Sequence, residues 1–190
     1  MRVFLAVEIP DKVRAEIARL QDNLKSAGAD VKWVEPRNLH LTLKFLGEIQ
    51  EEKVPSLTDA LRAAAAAAAP FSISLEGVGA FPRIQHPRVL WVGIKEGKEA
   101  LERLAGAIEE TCNPLGFPAE ERAFSPHLTI GRIRSNKRHS ALEKELQEIS
   151  FHAGEPAAVD HLTLFQSVLS SRSPTYTKLA EIPFRRRSAG

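Results

Sequence analysis

The sequence predicts an α+β fold with antiparallel sheets. Helix signals are mostly separated by pairs of strand signals, which favours antiparallel pairing over a doubly wound parallel sheet. A tetrapeptide, His40-Leu41-Thr42-Leu43, returns as His127-Leu128-Thr129-Ile130. The element order can be divided near residue 95 into two parts with one copy each, which suggests a duplication. If two lobes are related by a pseudo-twofold axis, the two motif strands face each other.

The first four elements are predicted from short apolar patterns. Residues 2–9 are apolar enough for a strand, which ends at Pro10. Asp11 is a suitable N-cap for a helix whose apolar residues recur at helical spacing as far as Gly28. Residues 31–34 form a short strand, and residues 39–46 form the first motif strand.

The middle of the chain continues with a helix and two strands. A helix is predicted over residues 55–69, with a proline in its first turn, a run of alanines and a proline after it. Residues 71–75 alternate between apolar and polar, and residues 89–94 are continuously apolar, so both read as strands. The glycines and prolines between them predict a long hairpin connection.

The rest of the chain repeats this style. Leucines on one face predict a helix over residues 97–112. The second motif strand follows at residues 127–133, then a charged helix at residues 138–149. Two further strands, near residues 158–167 and 175–183, complete the predicted elements.

Composition is ordinary for a globular protein, with 43% apolar and 26% charged residues. We expect one domain over residues 1–184, and a disordered basic tail over residues 185–190. The apolar start is too short and too interrupted for a signal peptide, and no run reaches membrane-spanning length. A single cysteine, Cys112, excludes an intrachain disulfide framework, so the cytoplasm is the expected compartment. We also expect a monomer.

The repeated motif carries the chemistry. Side chains two apart on a strand share a face, so each copy presents one imidazole beside one hydroxyl. With a pKa near 6.5, one imidazole can act as a base and another as an acid at neutral pH. Thr42 and Thr129 would donate hydrogen bonds to the oxygens of a phosphoryl group. The pattern favours metal-free cleavage of a phosphoester.

Other chemistries fit less well. Cys112 has no electropositive neighbours in sequence, and no Gly-x-Ser-x-Gly elbow is present. A metal site that combines His40, His127 and His161 remains an alternative, although the spacing inside the motifs is not that of paired metal ligands. His161-Leu162-Thr163-Leu164 is a third copy of the pattern, and a threonine-rich strand can produce such a copy through packing alone.

The motifs and their flanks resemble the two-histidine phosphoesterases. The resemblance is strongest to the bacterial and archaeal RNA 2',3'-cyclic phosphodiesterases, also called 2'-5' RNA ligases. It spans nearly the whole chain and rests on these segments: Arg2-Val3-Phe4-Leu5-Ala6-Val7, Asn38-Leu39-His40-Leu41-Thr42-Leu43-Lys44-Phe45-Leu46-Gly47, Val89-Leu90-Trp91-Val92-Gly93, Ser125-Pro126-His127-Leu128-Thr129-Ile130-Gly131-Arg132, and Phe165-x-Ser167 with Tyr176.

The resemblance implies a bilobal fold with a central cleft and hydrolysis of a terminal RNA 2',3'-cyclic phosphate to a 2'-phosphate, without metal or cofactor. It implies that His127 is the proton acceptor and His40 the proton donor, while Thr42 and Thr129 hold the phosphate. Joining of RNA ends through a 2'-5' bond is the formal reverse. The resemblance gives His161 no motif role, and we interpret it as an ordinary strand residue.

Alternatives remain for the substrate and for the outer contacts. The substrate could be another cyclic or 2'-5' linked nucleotide, or the domain could bind RNA ends without turnover. Lys44 shares the strand parity of His40, so it is a candidate phosphate contact. Strict alternation turns Arg132 away from His127, unless a bulge at Gly131 reverses this.

Two further groups of residues have a structural and a functional interpretation. Aromatic residues could stack on a nucleobase, but each is more often part of a core; these are Trp33, Phe81 and Phe124. Basic residues follow the second motif and close the chain, either as a solvated surface or as a weak attraction for a polyanion. They are Arg132, Arg134, Lys137, Arg138 and Arg185 to Arg187.

Overall fold

The computed structural model describes residues 1–170 and 173–185. Within these residues the chain forms nine strands, four α-helices and three short 3-10 helices. The strands are β1 Arg2–Glu8, β2 Val31–Trp33, β3 His40–Glu48, β4 Phe71–Phe81, β5 Val89–Glu96, β6 His127–Ile133, β7 Ala157–Val159, β8 His161–Val168 and β9 Thr175–Pro183. The helices are α1 Asp11–Lys25, α2 Val54–Ala66, α3 Lys98–Cys112 and α4 His139–Glu148.

The strands form two antiparallel sheets, which confirms the α+β prediction. The first sheet has the order β3-β1-β8-β9, and the second has the order β2-β6-β5-β4-β7. Each motif strand lies next to a central strand, β3 beside β1 and β6 beside β5. A cut near residue 95 does not separate the sheets, because β8 and β9 return to the first sheet while β2 joins the second.

Two predicted elements differ from the structure. The segment after residue 75 was expected to be a connection, but β4 continues to Phe81 through an irregular pairing with β5. Gly79 permits this, because the ring of Trp91 lies over it and would be 2.3 Å from a Cβ atom. The predicted strand 158–167 is divided at Asp160 into β7 and β8, which belong to different sheets. Apolar periodicity cannot detect such a change of partner.

The helices cover one face of the sheets and enclose a continuous apolar core. This core includes Val3, Leu5 and Val7 of β1, together with Leu90 and Val92 of β5. Burial of so much apolar surface is the main stabilising contribution to the fold. The opposite face of the first sheet carries a separate aromatic cluster, described below, so the two faces of β1 serve different purposes.

The predicted basic tail lies mostly outside the described residues, which end at residue 185. Arg185 itself is described, and its backbone amide donates a hydrogen bond to the carbonyl of Ala68. Among the described helices, none is both long and apolar enough to cross a membrane.

Candidate active site

Each motif histidine is the first residue of its strand and is held in the same way. His40 Nδ1 lies 2.6 Å from the carbonyl oxygen of Asn38, and His127 Nδ1 lies 2.7 Å from the carbonyl oxygen of Ser125. A carbonyl oxygen can only accept, so both Nδ1 atoms carry the hydrogen. Nε2 is therefore the nitrogen of each ring that remains available to accept or donate a proton.

Aromatic rings surround His40. Its ring centroid lies 4.8 Å from that of Phe4 and 5.1 Å from that of Tyr176, whose ring is edge-on. Burial lowers the pKa of His40 to about 4; the hydrogen bond to Asn38 and the negative charge of Glu8 oppose that shift. His40 is therefore neutral near pH 7 in the free protein.

His127 has a matching aromatic neighbour. The ring of Phe81 lies 4.9 Å away and edge-on, and Phe81 in turn contacts Trp91 at 5.3 Å. Trp91 is paired with Thr129 across β5 and β6, so its side chain shares the face that carries His127. Both imidazoles thus lie against rings that hold them in place and limit their contact with water.

The two motif strands also share a backbone irregularity. The pairing of β1 with β3 shifts after Ala6–Thr42, and the pairing of β5 with β6 shifts after Trp91–Thr129. In each case the extra residue is the fourth of the motif, Leu43 or Ile130. A β-bulge reverses the alternation of the side chains that follow it, as far as the next irregularity in the strand. The prediction from simple alternation therefore holds for His and Thr and fails beyond them.

Lys44 shows the consequence in the first motif, and its prediction as a phosphate contact is wrong. The bulge pairs Lys44 with Leu5, whose side chain belongs to the main core. Lys44 is 2% exposed, and its Nζ lies 2.7 Å from Glu109 Oε1 and 2.9 Å from the carbonyl oxygen of Pro118. It is a buried structural cation on the far face from His40.

Arg132 shows the opposite consequence in the second motif. The bulge at Ile130 turns Gly131 to the core side, where a Cβ atom would lie 2.8 Å from Val31. Arg132 therefore returns to the face of His127, paired with Val89, which is itself paired with Phe81. This is the reversal that a bulge was expected to permit. The guanidinium is exposed.

The two motif strands adjoin each other. β3 and β6 come into contact although they belong to different sheets. Burial raises the pKa of Tyr176, and the positive charges of Arg132 and Arg2 act against that shift. A residue of the second motif strand is thus close enough to influence the ring that packs on His40. Gln21 of α1 supports the junction, because its Nε2 donates to the carbonyls of Val34 and Ile130.

The third copy of the pattern lies on the face of His40. Ala6 is paired with Thr42 on one side and Thr163 on the other, so all three side chains point the same way. His161 Nδ1 lies 2.6 Å from Asp160 and its Nε2 lies 3.2 Å from Glu8. Both ring nitrogens of His161 therefore have partners, whereas His40 and His127 are held through Nδ1. As expected, His161 is a strand residue, the first of β8.

A carboxylate cluster beside His161 has the composition of a metal site but already contains a cation. Ligand atoms of Glu8, His161 and Glu181 lie within 4.8 Å of one another. The ammonium of Lys178 lies 2.9 Å from Glu8 Oε2 and 3.1 Å from Glu181 Oε2. Burial raises the pKa of Glu8, but hydrogen bonds from Lys178, His161 and Thr163 outweigh it and keep the pKa below its ordinary value. A metal ion here would have to displace Lys178.

The aromatic candidates separate into two groups. Phe81 lies at the site, whereas Trp33 is paired with Gly131 on the core side and Phe124 packs against the core. The aromatic residues around His40 were not identified from the sequence. Phe45 is 56% exposed and contacts Phe4, but only the bulge at Leu43 brings it to this face.

Comparisons with known proteins agree on one family. The model of the family described as LigT like Phosphoesterase matches residues 7–91 and again residues 92–176. This double match supports the duplication that the repeated motif suggested. Each matched segment contains one His-x-Thr motif of the proposed pair.

Relatives in sequence and in structure cover nearly the whole chain. An RNA 2',3'-cyclic phosphodiesterase of Archaeoglobus fulgidus is 41% identical over 180 residues, which cover 94% of this chain and 98% of the relative. The crystal structure of TT0787 of Thermus thermophilus superposes with a TM-score of 0.83 at 30% identity, over 99% and 100% of the two chains. The structure of E. coli LigT complexed with 3'-AMP gives a TM-score of 0.76 at 28% identity, over 96% and 97%.

Proposed function

The chain belongs to the LigT-like phosphoesterase family, and we propose that it is an RNA 2',3'-cyclic phosphodiesterase. Membership confirms the resemblance indicated by the paired motifs. The observation that carries the mechanism is the matched pair of histidines, each with Nδ1 bonded to a carbonyl and Nε2 available. Two such groups on adjoining strands are suited to moving one proton on each side of a phosphorus atom.

In the proposed reaction, a water molecule attacks the phosphorus of the cyclic phosphate while His127 Nε2 accepts its proton. The bond between phosphorus and the 3'-oxygen breaks, and His40 Nε2 gives its proton to that oxygen. The product is a 2'-phosphate beside a free 3'-hydroxyl. The hydroxyls of Thr42 and Thr129 donate hydrogen bonds to the non-bridging oxygens as negative charge builds there. Ligation to a 2'-5' bond is the reverse, with a 5'-hydroxyl replacing water.

The donor role of His40 requires that the substrate help to protonate it. His40 is neutral near pH 7 in the free protein because its pKa is about 4. An anionic phosphate against Nε2 favours the charged imidazolium and raises that pKa. Phosphate binding and protonation of His40 are then coupled, so His40 becomes a proton donor only when a phosphate is bound.

The experiment is hydrolysis of a nucleoside 2',3'-cyclic phosphate in EDTA, followed by phosphorus NMR. We expect a 2'-phosphate product. His40→Asn and His127→Asn should each lower kcat by about 10²–10⁴, the usual loss for an acid–base group. Asparagine is the suitable replacement, because its amide nitrogen can keep the bond that Nδ1 makes.

The matched control is His161→Asn, the same substitution in the third copy of the pattern, which should leave kcat unchanged. Equal losses in all three variants would contradict the choice of pair. Turnover that EDTA abolishes would replace the two-histidine reaction with a metal-dependent one. Binding without any turnover would make the protein an RNA-end-binding module instead.

A further inference from the structure

Positively charged residues continue from the second motif to one end of its sheet. Lys32 is paired with Arg132, and Arg132 with Val89, so Lys32 and Arg132 share a face with Phe81 and His127. The same sheet end holds the turn after β6 and the turn between β4 and β5. We call the following six residues of this end the basic rim: Lys32, Arg83, Arg88, Arg132, Arg134 and Lys137.

Backbone hydrogen bonds hold the segments of the basic rim together. The amide of Ile133 donates to the carbonyl of Arg88, and the amide of Arg88 donates to the carbonyl of Phe81. On the other side, the amide of Arg134 donates to the carbonyl of Asp30. The three segments are thus fixed beside one another through their backbones.

The basic rim is poorly neutralised. Within residues 1–170 and 173–185, none of its six side chains forms a salt bridge, whereas Lys12, Lys25, Arg62 and Lys95 each pair with a carboxylate. Asp30 lies beside the rim, and its carboxylate accepts a hydrogen bond from Ser135. All six residues except Lys32 are exposed. The whole chain carries a net charge of only +2, whereas the six cations of the basic rim lie together at one end of one sheet.

We propose that the basic rim binds the phosphodiester backbone of the nucleotides that precede the cyclic phosphate at the end of a single-stranded RNA. This rests on the proposed function, since the terminal phosphate must sit between His40 and His127. Arg132 joins the two regions, because it lies on the face of His127 and its charge reaches Tyr176 beside His40. Guanidinium groups match phosphate oxygens in pairs, and contacts to phosphate carry no sequence information directly. The rim therefore adds affinity for chain length, not for base identity.

The test compares a short and a long substrate. The rim variant is Arg83→Gln, Arg134→Gln and Lys137→Gln combined, which leaves Arg132 and both motifs intact. The control variant removes the same charge from the helical surface, with Lys53→Gln, Lys98→Gln and Arg103→Gln. Hydrolysis of 2',3'-cyclic AMP is compared with hydrolysis of an adenylate octamer that ends in a cyclic phosphate. Binding of a 5'-fluorescein octamer that ends in a 2'-phosphate is followed by anisotropy over a range of salt.

We expect the rim variant to keep the wild-type rate with 2',3'-cyclic AMP and to bind the octamer about 10- to 100-fold more weakly than the wild type does. The slope of log Kd against log salt should fall by about 2, which is about 0.7 for each of three phosphate contacts to a single strand. The control variant should behave as the wild type does. An unchanged octamer affinity in the rim variant would overturn the proposal. Equal losses in the rates of hydrolysis of 2',3'-cyclic AMP and of the octamer would also overturn it.

The two proposals fail in different ways. If the wild type hydrolyses 2',3'-cyclic AMP but the rim variant binds the octamer normally, the proposed function is supported and the proposed role of the basic rim is wrong. If the wild type hydrolyses neither substrate, and the rim variant binds the octamer more weakly than the wild type does, the proposed role of the basic rim is supported and the proposed function is wrong.

Discussion

Acidification should destabilise the protein through His40. Burial lowers the pKa of this imidazole to about 4, from about 6.5 in an unfolded chain. Between these values the unfolded state binds more protons than the folded state, so the free energy of unfolding falls as the pH falls. A shift of about 2.5 pH units corresponds to about 3 kcal/mol. Part of the side chain keeps contact with water, so we expect about 2–3 kcal/mol.

The assay is urea unfolding of the wild type and of His40→Asn at a series of pH values between about 7 and about 4. Asparagine does not titrate, and its amide can still donate to the carbonyl of Asn38. The wild type should lose about 2–3 kcal/mol more than the variant across this range. Parallel curves for the two proteins would refute the lowered pKa. So would an NMR titration in which the His40 ring protonates near pH 6.5 in the free protein.

Three other sets of substitutions distinguish residues that contact the phosphate from residues that stabilise the fold. Lys44→Ala should lower the free energy of unfolding by about 3 kcal/mol, because it leaves Glu109 without its buried partner. The kcat of this variant should not change. A large loss of kcat in the folded variant would indicate that Lys44 does contact the phosphate. Thr42→Val and Thr129→Val should each lower kcat/KM by about 10², and normal rates would exclude phosphate contact. Hydrogen bonds to Asp160 and Glu8 outweigh burial and raise the pKa of His161, so the stability advantage of wild type over His161→Ala should be greatest below about pH 6.5 and decrease as the pH rises. A constant difference in urea unfolding would contradict this.

The sequence predicted the parts of the site that depend on strand alternation alone. His40 and Thr42 share a face, as do His127 and Thr129, because both copies lie in regular strand before the bulge. The bulge itself leaves no signal in single-residue periodicity. For this reason Lys44 was placed on the wrong face, and the position of Arg132 could be decided only from the structure.

Long-range pairing was also beyond the sequence. The strand predicted over residues 158–167 changes sheet at Asp160, and the first sheet is completed by β8 and β9 from the far end of the chain. These partners place Thr163 and His161 beside Glu8, and Tyr176 against His40. None of these contacts follows from local composition. The carbonyls that orient the two imidazoles are backbone groups, so their role cannot be read from residue identity.

The most direct test of the account is a crystal structure of the protein with a nucleoside 2'-phosphate, read at the two imidazoles. We predict that Nε2 of His127 lies within about 3.2 Å of a phosphate oxygen, and that Nε2 of His40 lies within about 3.2 Å of the 3'-hydroxyl oxygen or of another oxygen of the same phosphate. A complex in which one of the two imidazoles contacts neither the phosphate nor the 3'-hydroxyl would contradict the two-histidine reaction.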